Sequence, residues 1–203
     1  FTDAGDGSRT TTWTGPVSGI DLQVKIVLPA GYRPDDGRTY GVIEELHGYT
    51  GTPDSMIDGL QSAQSLQEAI DAGRIPPSIV VIPSLDVDDD PHDCADLQGR
   101  PMVGTWAAEE IPRMVRASFP NVSTDRQAWM IMGISSGAYC AAWTAIENPD
   151  QFGSAGVISA FNEPIEGGLA TSGRRIADKY TLSTMLAESS PGDTRFYVMG
   201  AQD

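Results

Sequence analysis

The sequence predicts an α/β fold with a mainly parallel central sheet, helices on both faces of that sheet and an antiparallel hairpin at its N-terminal end. Short apolar segments alternate with helix-length segments along most of the 203 residues, which is typical of strand–helix units. Four segments are nearly continuous apolar runs, as expected for parallel strands covered on both faces. They are centred on Val80, Met130, Val157 and Val198. A hydrophobic content of 40% is enough for one core, so residues 1–203 are predicted to form a single domain.

The predicted elements follow a regular order. Thr11–Thr14 and Ile20–Leu28 carry β-favouring residues on either side of glycine, proline and serine turn signals, and they predict the hairpin. Later strands are predicted at Tyr40–Leu46, Ser78–Ile82, Ala128–Met132, Ala155–Ser159 and Thr194–Met199. Helices are predicted near Met56–Ala72, Trp106–Ser118 and Ala138–Ile146, with weaker helical segments after Ser159.

Charge and composition exclude several classes of partner. The 13 basic and 28 acidic side chains give a net charge of −15, which would repel nucleic acid phosphates and anionic membrane surfaces. A neutral or carbohydrate-linked small molecule is therefore expected instead. No apolar run approaches the roughly 18 residues of a membrane span. Because the chain begins at Phe1, we expect a processed segment of a secreted or cell-envelope protein, and the sequence indicates no oligomeric state.

The segment Gly133–Gly137 has the pattern glycine-x-serine-x-glycine between an apolar strand and a helix. In a nucleophile elbow, glycines at these two places let the chain turn tightly and hold a serine in a strained conformation, with its hydroxyl exposed at the carboxyl edge of a sheet. Ser135 is therefore the candidate nucleophile. A glycine-rich connection in an ordinary α/β protein is the alternative, which the flanking strand and helix disfavour.

The loop Leu46–Gly51 follows a predicted strand and contains two glycines. In hydrolases with a nucleophile elbow, such a loop supplies one backbone donor of the oxyanion hole, and the residue after the nucleophile supplies the other. We assign these donors to the amides of Tyr49 and Ser136. The Tyr49 side chain either lines the substrate pocket or only packs against its neighbours.

His47 and Gly48 begin this loop, where His47 is predicted to hold the loop by hydrogen bonds and not to act as a base. In this architecture the catalytic groups come in the order serine, acid, histidine, so a base before Ser135 would be out of order. Asp203 follows the last predicted strand in the segment Gly200–Asp203 and is the candidate acid. A solvated aspartate is the alternative.

The sequence contains two cysteines, Cys94 and Cys140. They could form one disulfide between the loop after Ser78–Ile82 and the helix after Ser135, or Cys140 could be a small buried residue of that helix. Both possibilities stay open from the residues alone.

The acidic segment Asp86–Asp93, which includes His92, offers closely spaced oxygen ligands for calcium. It lacks the glycine and glutamate of an EF-hand loop, so a solvated turn is favoured. We expect no metal and no organic cofactor.

Three segments carry a family resemblance: Gly133–Ala142, Pro149–Gly153 and the helix from Thr105 to Pro112. Together they resemble the putative esterase family of α/β hydrolases, which includes esterase D, feruloyl and acetylxylan esterases and mycolyltransferases. They are most similar to exported or membrane-tethered esterase-like proteins of actinobacteria. The resemblance implies an α/β-hydrolase fold with a serine nucleophile at Ser135 and an acid at Asp203.

Members of the family carry their catalytic histidine downstream of the acid, whereas this sequence has only His47 and His92, both before Ser135. We therefore expect either a chain truncated at its C-terminus or a degenerate homologue, and we favour truncation, because a fold that ends after a central strand leaves a sheet edge uncovered. The expected reaction is hydrolysis of a carboxylic ester through an acyl-enzyme on Ser135. Acyl transfer of the mycolyltransferase type and a noncatalytic binding module with this fold are the alternatives.

Overall fold

The computed structural model describes residues 1–88, 94–164, 178–189 and 192–200, and eight strands of these residues form one sheet. The order of the strands across the sheet is β1-β2-β3-β5-β4-β6-β7-β8. Their bounds are β1 Thr2–Asp3, β2 Arg9–Thr14, β3 Asp21–Val27, β4 Gly41–Leu46, β5 Ser78–Pro83, β6 Trp129–Ile134, β7 Ser154–Ile158 and β8 Arg195–Met199.

The sheet is antiparallel at one side and parallel elsewhere. β2 pairs with β3 as the predicted hairpin, with Trp13 opposite Leu22, and β3 runs antiparallel to β5. From β5 onward, β4, β6, β7 and β8 are successive parallel neighbours. The predicted α/β fold with an N-terminal antiparallel hairpin is confirmed.

Six α-helices lie within the described residues: α1 Pro53–Leu60, α2 Ser62–Asp71, α3 Val103–Thr105, α4 Ile111–Ser118, α5 Ser136–Glu147 and α6 Leu182–Glu188. A π-helical segment at Trp106–Glu110 joins α3 to α4, and a 3₁₀ turn at Arg126–Ala128 precedes β6. In the part of the chain that the structure describes, no helix combines the length and apolarity needed to cross a membrane.

The prediction of a single helix near Met56–Ala72 was wrong, because this segment forms two helices, α1 and α2, that are separated at Gln61. The backbone of Gln61 is left-handed, with φ of 48°, and its N–H closes α1 on the carbonyl oxygen of Ile57. α2 begins at the next residue. Position 61 carries neither glycine nor proline, so no local signal marked the break.

The helix predicted at Trp106–Ser118 begins earlier, at Val103, and contains the π-helical segment. The Ile111 N–H bonds to the carbonyl oxygen of Trp106, five residues back along the chain. Pro112 follows directly and has no N–H to donate, so the wider turn is placed where the regular hydrogen-bond ladder is already interrupted.

Helices cover both faces of the sheet around β4 and β5. On one face Met56 and Leu66 of α1 and α2 pack against Val80 of β5. On the other face Ile111 and Ala138 belong to the main core. Each large apolar side chain buried in this way contributes about 1.5–3 kcal/mol to stability. This packing holds β4 and β6 side by side at the centre of the sheet, with their carboxyl ends at one edge.

Candidate active site

Ser135 lies at the sharp turn between β6 and α5. Its backbone has φ of 57° and ψ of −121°, a conformation that L residues rarely adopt and that costs on the order of 1–3 kcal/mol. α5 begins at the next residue, so the exposed Ser135 side chain stands at the N-terminus of a helix of 12 residues. The positive end of that helix favours negative charge developing beside Ser135.

The two glycines of the elbow are required by close backbone contacts. A Cβ at Gly133 would clash with the carbonyl group of Gly137, and a Cβ at Gly137 would clash with the carbonyl oxygens of Leu46 and His47. The turn after β6 is therefore pressed directly against the end of β4. This arrangement explains the glycine-x-serine-x-glycine spacing in physical terms.

The loop after β4 lies against the elbow, as the oxyanion-hole assignment requires. A Cβ placed on Gly48 would lie 3.3 Å from the Ser135 Cβ. The Tyr49 N–H donates a hydrogen bond to the Ser136 Oγ at 2.6 Å. The structure thus brings together Ser135, Ser136, Gly48 and Tyr49, and it directs the Tyr49 amide at the side chain of Ser136.

His47 is buried and bonded through both ring nitrogens. Its Nε2 accepts the Leu85 N–H at 3.0 Å, so Nδ1 carries the ring proton and donates to the carbonyl oxygen of Gly48 at 2.9 Å. Burial is the largest influence on the pKa of His47 and lowers it, although the Gly48 carbonyl and the charge of Asp86 act in the opposite direction. This neutral, fully engaged imidazole fits the predicted structural role and has no nitrogen available to take a proton from Ser135.

A disulfide connects the loop after β5 to the helix after Ser135. Cys94 and Cys140 are bonded, with their Cα atoms 5.4 Å apart. Cys140 is also buried in the core, so the two alternatives for this residue hold together. The bond reinforces a loop whose earlier part contacts the site, since Leu85 bonds to His47 and Ser84 accepts the Trp106 Nε1–H at 3.0 Å.

The acid of the predicted triad, Asp203, and the histidine of the acidic segment, His92, both lie outside the described residues, as does most of that segment. The end of β8 is nevertheless close to the elbow. The Ser135 N–H bonds to the Ile158 carbonyl oxygen at 3.0 Å, and the next residue, Ser159, bonds to the Met199 carbonyl oxygen at 2.7 Å. Met199 at the end of β8 therefore lies at the same sheet edge that carries Ser135.

Two buried acids on β4 were not anticipated from the sequence. Neither carboxyl oxygen of fully buried Glu44 has a hydrogen-bond partner within the described residues, and burial raises its pKa well above the usual range. Burial raises the pKa of Glu45 to about 7. The Ser62 hydroxyl donates a hydrogen bond to the Glu45 carboxylate at 2.7 Å, which acts in the opposite direction and lowers this pKa. Two adjacent glutamates inside an apolar strand were the available signal. Across the described ranges, no group of three or more ligand-type side chains could hold a metal ion.

Comparison with known families decides the classification. The family described as "Putative esterase" matches residues 16–201, which is nearly the whole sequence. The chain belongs to the putative esterase family. Comparison of this esterase with curated proteins gives no significant match.

Several solved structures share the fold of this esterase. A ferulic acid esterase has a TM-score of 0.76 at 16% identity, covering 96% of this chain and 90% of that chain. An S-formylglutathione hydrolase from Agrobacterium tumefaciens has a TM-score of 0.72 at 14% identity, covering 99% of this chain and 90% of that chain. A fluorophosphonate-binding serine hydrolase from Staphylococcus aureus, with substrate bound, has a TM-score of 0.70 at 16% identity. The match covers 96% of this chain and 79% of that chain.

Proposed function

We propose that this esterase hydrolyses carboxylic esters through an acyl-enzyme on Ser135. The observation that carries the proposal is the strained, exposed Ser135 at the N-terminus of α5, pressed against the loop after β4. The Ser135 Oγ attacks the ester carbonyl carbon and gives its proton to a base. The tetrahedral intermediate expels the alcohol, which takes that proton, and water then attacks the acyl-enzyme in the same way to release the acid.

Negative charge on the substrate carbonyl oxygen needs donors about 3 Å away. The Ser136 N–H is one donor in this proposal, because it belongs to the first turn of α5 and has no helical partner there. The loop after β4 forms the other side of the oxyanion hole, where the Tyr49 N–H donates to the Ser136 Oγ. The Tyr49 side chain is 39% exposed and can contact the acyl or alcohol group at the mouth of the site.

The general base of this proposal is a histidine that follows Asp203, the position that the family resemblance implies. His47 is unsuitable, because its two ring nitrogens are already bonded to the main chain. Asp203 would hold the histidine in one tautomer and stabilise its protonated form. His92 is the other histidine of the sequence, and the experiment below tests it.

The proposed substrates are esters of neutral or carbohydrate-linked alcohols. The net charge of −15 disfavours strongly anionic substrates, and one of the similar structures is described as a ferulic acid esterase. Feruloyl esters are therefore suitable test compounds beside simple aryl acetates. The Cys94–Cys140 bond supports a location outside the cytoplasm, in the cell envelope or beyond it.

The test is the intact mass of the protein after incubation with a fluorophosphonate probe, together with hydrolysis of p-nitrophenyl acetate. One adduct and measurable hydrolysis are expected, and Ser135→Ala should abolish both. Ser183→Ala is the matched control, because Ser183 is an exposed serine in the first turn of α6. His92→Ala should label normally. Absence of an adduct on a wild-type protein that includes a histidine after Asp203 would contradict the proposal, and loss of labelling in His92→Ala would assign the base to that residue.

A further inference from the structure

The Tyr49 amide, which was expected to face the substrate, donates its hydrogen bond to the Ser136 hydroxyl instead. Tyr49 has one amide hydrogen, and that hydrogen is directed at the Ser136 Oγ. The distance from the Tyr49 nitrogen to this oxygen is 2.6 Å. An N–H that already donates a hydrogen bond of this length has little capacity for a second acceptor. In the structure, therefore, the Tyr49 amide reaches the substrate position only through the Ser136 side chain.

The Ser136 hydroxyl can relay the effect of the Tyr49 N–H to a substrate oxygen. A serine hydroxyl that accepts one hydrogen bond still carries its own hydrogen, which it can donate elsewhere. Accepting a bond from an amide makes the hydroxyl a stronger donor, because hydrogen bonds in a chain polarise one another. Ser136 is half-buried and directly follows the nucleophile, so its hydrogen can rotate toward the space beside Ser135.

The loop after β4 lies close to both this hydroxyl and Ser135. A Cβ on Gly48 would lie 3.3 Å from the Ser135 Cβ and 3.8 Å from the Ser136 Oγ, so one point of the loop after β4 is close to both serines. The N–H of Ser136 lies in the same helix turn as its side chain. One residue can therefore supply two donors to a single oxygen.

We propose that the Ser136 hydroxyl, polarised by the Tyr49 N–H, is a side-chain oxyanion donor of this esterase and a catalytic residue. The inference rests on the proposed ester hydrolysis at Ser135. The developing oxyanion receives hydrogen bonds from the Ser136 N–H and the Ser136 O–H, and the Tyr49 amide strengthens the second of these without touching the substrate. No bond to Ser136 is made or broken.

The test compares Ser136→Ala and Ser136→Thr with the wild-type protein in the hydrolysis of p-nitrophenyl acetate. Removal of one oxyanion donor is expected to lower kcat by about 10²-fold with little change in KM. Ser136→Thr keeps a hydroxyl and should stay within about tenfold of wild type. The control Ser183→Ala should be unchanged, and thermal unfolding should show that all variants are folded.

A second readout separates an oxyanion donor from a residue that only supports the loop. Replacing the ester carbonyl oxygen with sulfur weakens hydrogen bonding to it, because sulfur is a weak acceptor. The wild-type protein should therefore prefer the oxygen ester over its thionoester analogue, and Ser136→Ala should lose most of that preference. A structural role would lower both rates equally and leave their ratio unchanged.

The outcomes distinguish this inference from the proposed function. Wild-type kcat in Ser136→Ala, equal losses in the Ala and Thr variants, or an unchanged thionoester ratio would overturn the Ser136 inference while Ser135 labelling and hydrolysis still stand. A wild-type protein that neither hydrolyses esters nor labels at Ser135 would overturn the proposed function and this inference together.

Discussion

The His47 Nε2 accepts the main-chain N–H of Leu85, and this bond joins the loop after β4 to the loop after β5. His47 is thereby a support for the site, although it is the single histidine within the described ranges. The same imidazole donates to Gly48, whose backbone lies against Ser135. The position of the loop after β4 depends on a neutral histidine.

We expect His47→Ala to lower the free energy of unfolding by about 2–4 kcal/mol, because the Leu85 N–H and the Gly48 carbonyl lose their partner and a cavity is left. Chemical denaturation measures this loss. Fluorophosphonate labelling of Ser135 should be slowed and not abolished. A fully stable variant that fails to label would instead identify His47 as the base.

The protonation of His47 predicts a loss of stability in acid. Burial lowers the pKa of His47 below its ordinary value of 6.5, so the unfolded chain binds this proton more readily than the folded chain. Stability contributed by neutral His47 is complete above pH 6.5 and is lost as the pH falls toward the folded pKa. Urea unfolding from pH 7 to pH 5 should show a smaller loss for His47→Gln than for the wild-type protein.

Glu44 predicts the opposite dependence on pH. Burial raises its pKa well above the ordinary value of 4.5, so the folded chain holds this proton more tightly and loses stability as the pH rises above that value. Glu44→Gln should stabilise the protein at pH 8 and change it little at pH 5. Glu44→Leu should add about 1–3 kcal/mol by removing an unpaired buried polar group. A lower melting temperature for Glu44→Leu at pH 8 would mean that the carboxyl group has a partner that stabilises it.

Ionisation of Glu45 also lowers the stability of the folded protein as the pH rises, within a defined pH range. Its pKa rises from 4.5 to about 7, so ionising this group costs stability between those two pH values. At about 1.4 kcal/mol per pKa unit, the total cost is about 3–4 kcal/mol. Glu45→Gln should remove this part of the pH dependence of unfolding. Ser62→Ala should raise the Glu45 pKa further, since the Ser62 hydroxyl favours the charged form.

The elbow glycines give a prediction with a control in the same protein. Gly137→Ala places a Cβ against the carbonyl oxygens of Leu46 and His47, so it should cost about 1–3 kcal/mol and displace Ser135 enough to slow fluorophosphonate labelling. Gly59→Ala lies in α1 with open space around its Cβ and should raise stability by up to about 1 kcal/mol. Equal effects of the two substitutions would mean that the close contact at Gly137 is unimportant.

The Cys94–Cys140 bond should contribute about 2–4 kcal/mol, because it restricts the unfolded chain. The double variant Cys94→Ala/Cys140→Ala is expected to unfold at a lower temperature. Dithiothreitol should lower the melting temperature of the wild-type protein and leave that of the double variant unchanged. A sensitivity of the double variant to dithiothreitol would argue against this bond as the origin of the effect.

Local patterns in the sequence determined the α/β class, the hairpin and the elbow, because each depends on neighbours within about ten residues. Apolar periodicity indicated the strands, and the two glycines around Ser135 marked a turn that other residues cannot make. The helix break at Gln61 was missed, because the left-handed backbone conformation of a residue other than glycine depends on tertiary packing and leaves no local signal.

By itself the sequence predicted the strand, turn and helix of the elbow and the family that the chain resembles, since these three elements are contiguous there. Only the tertiary structure decided that the Tyr49 amide meets the Ser136 side chain, that His47 is bonded through both nitrogens, and that Glu44 is buried without a partner among the described residues. The physical reason is that each of these contacts depends on how the ends of β4, β5 and β6 pack together. Segments far apart along the chain become neighbours only through the parallel pairing of their strands.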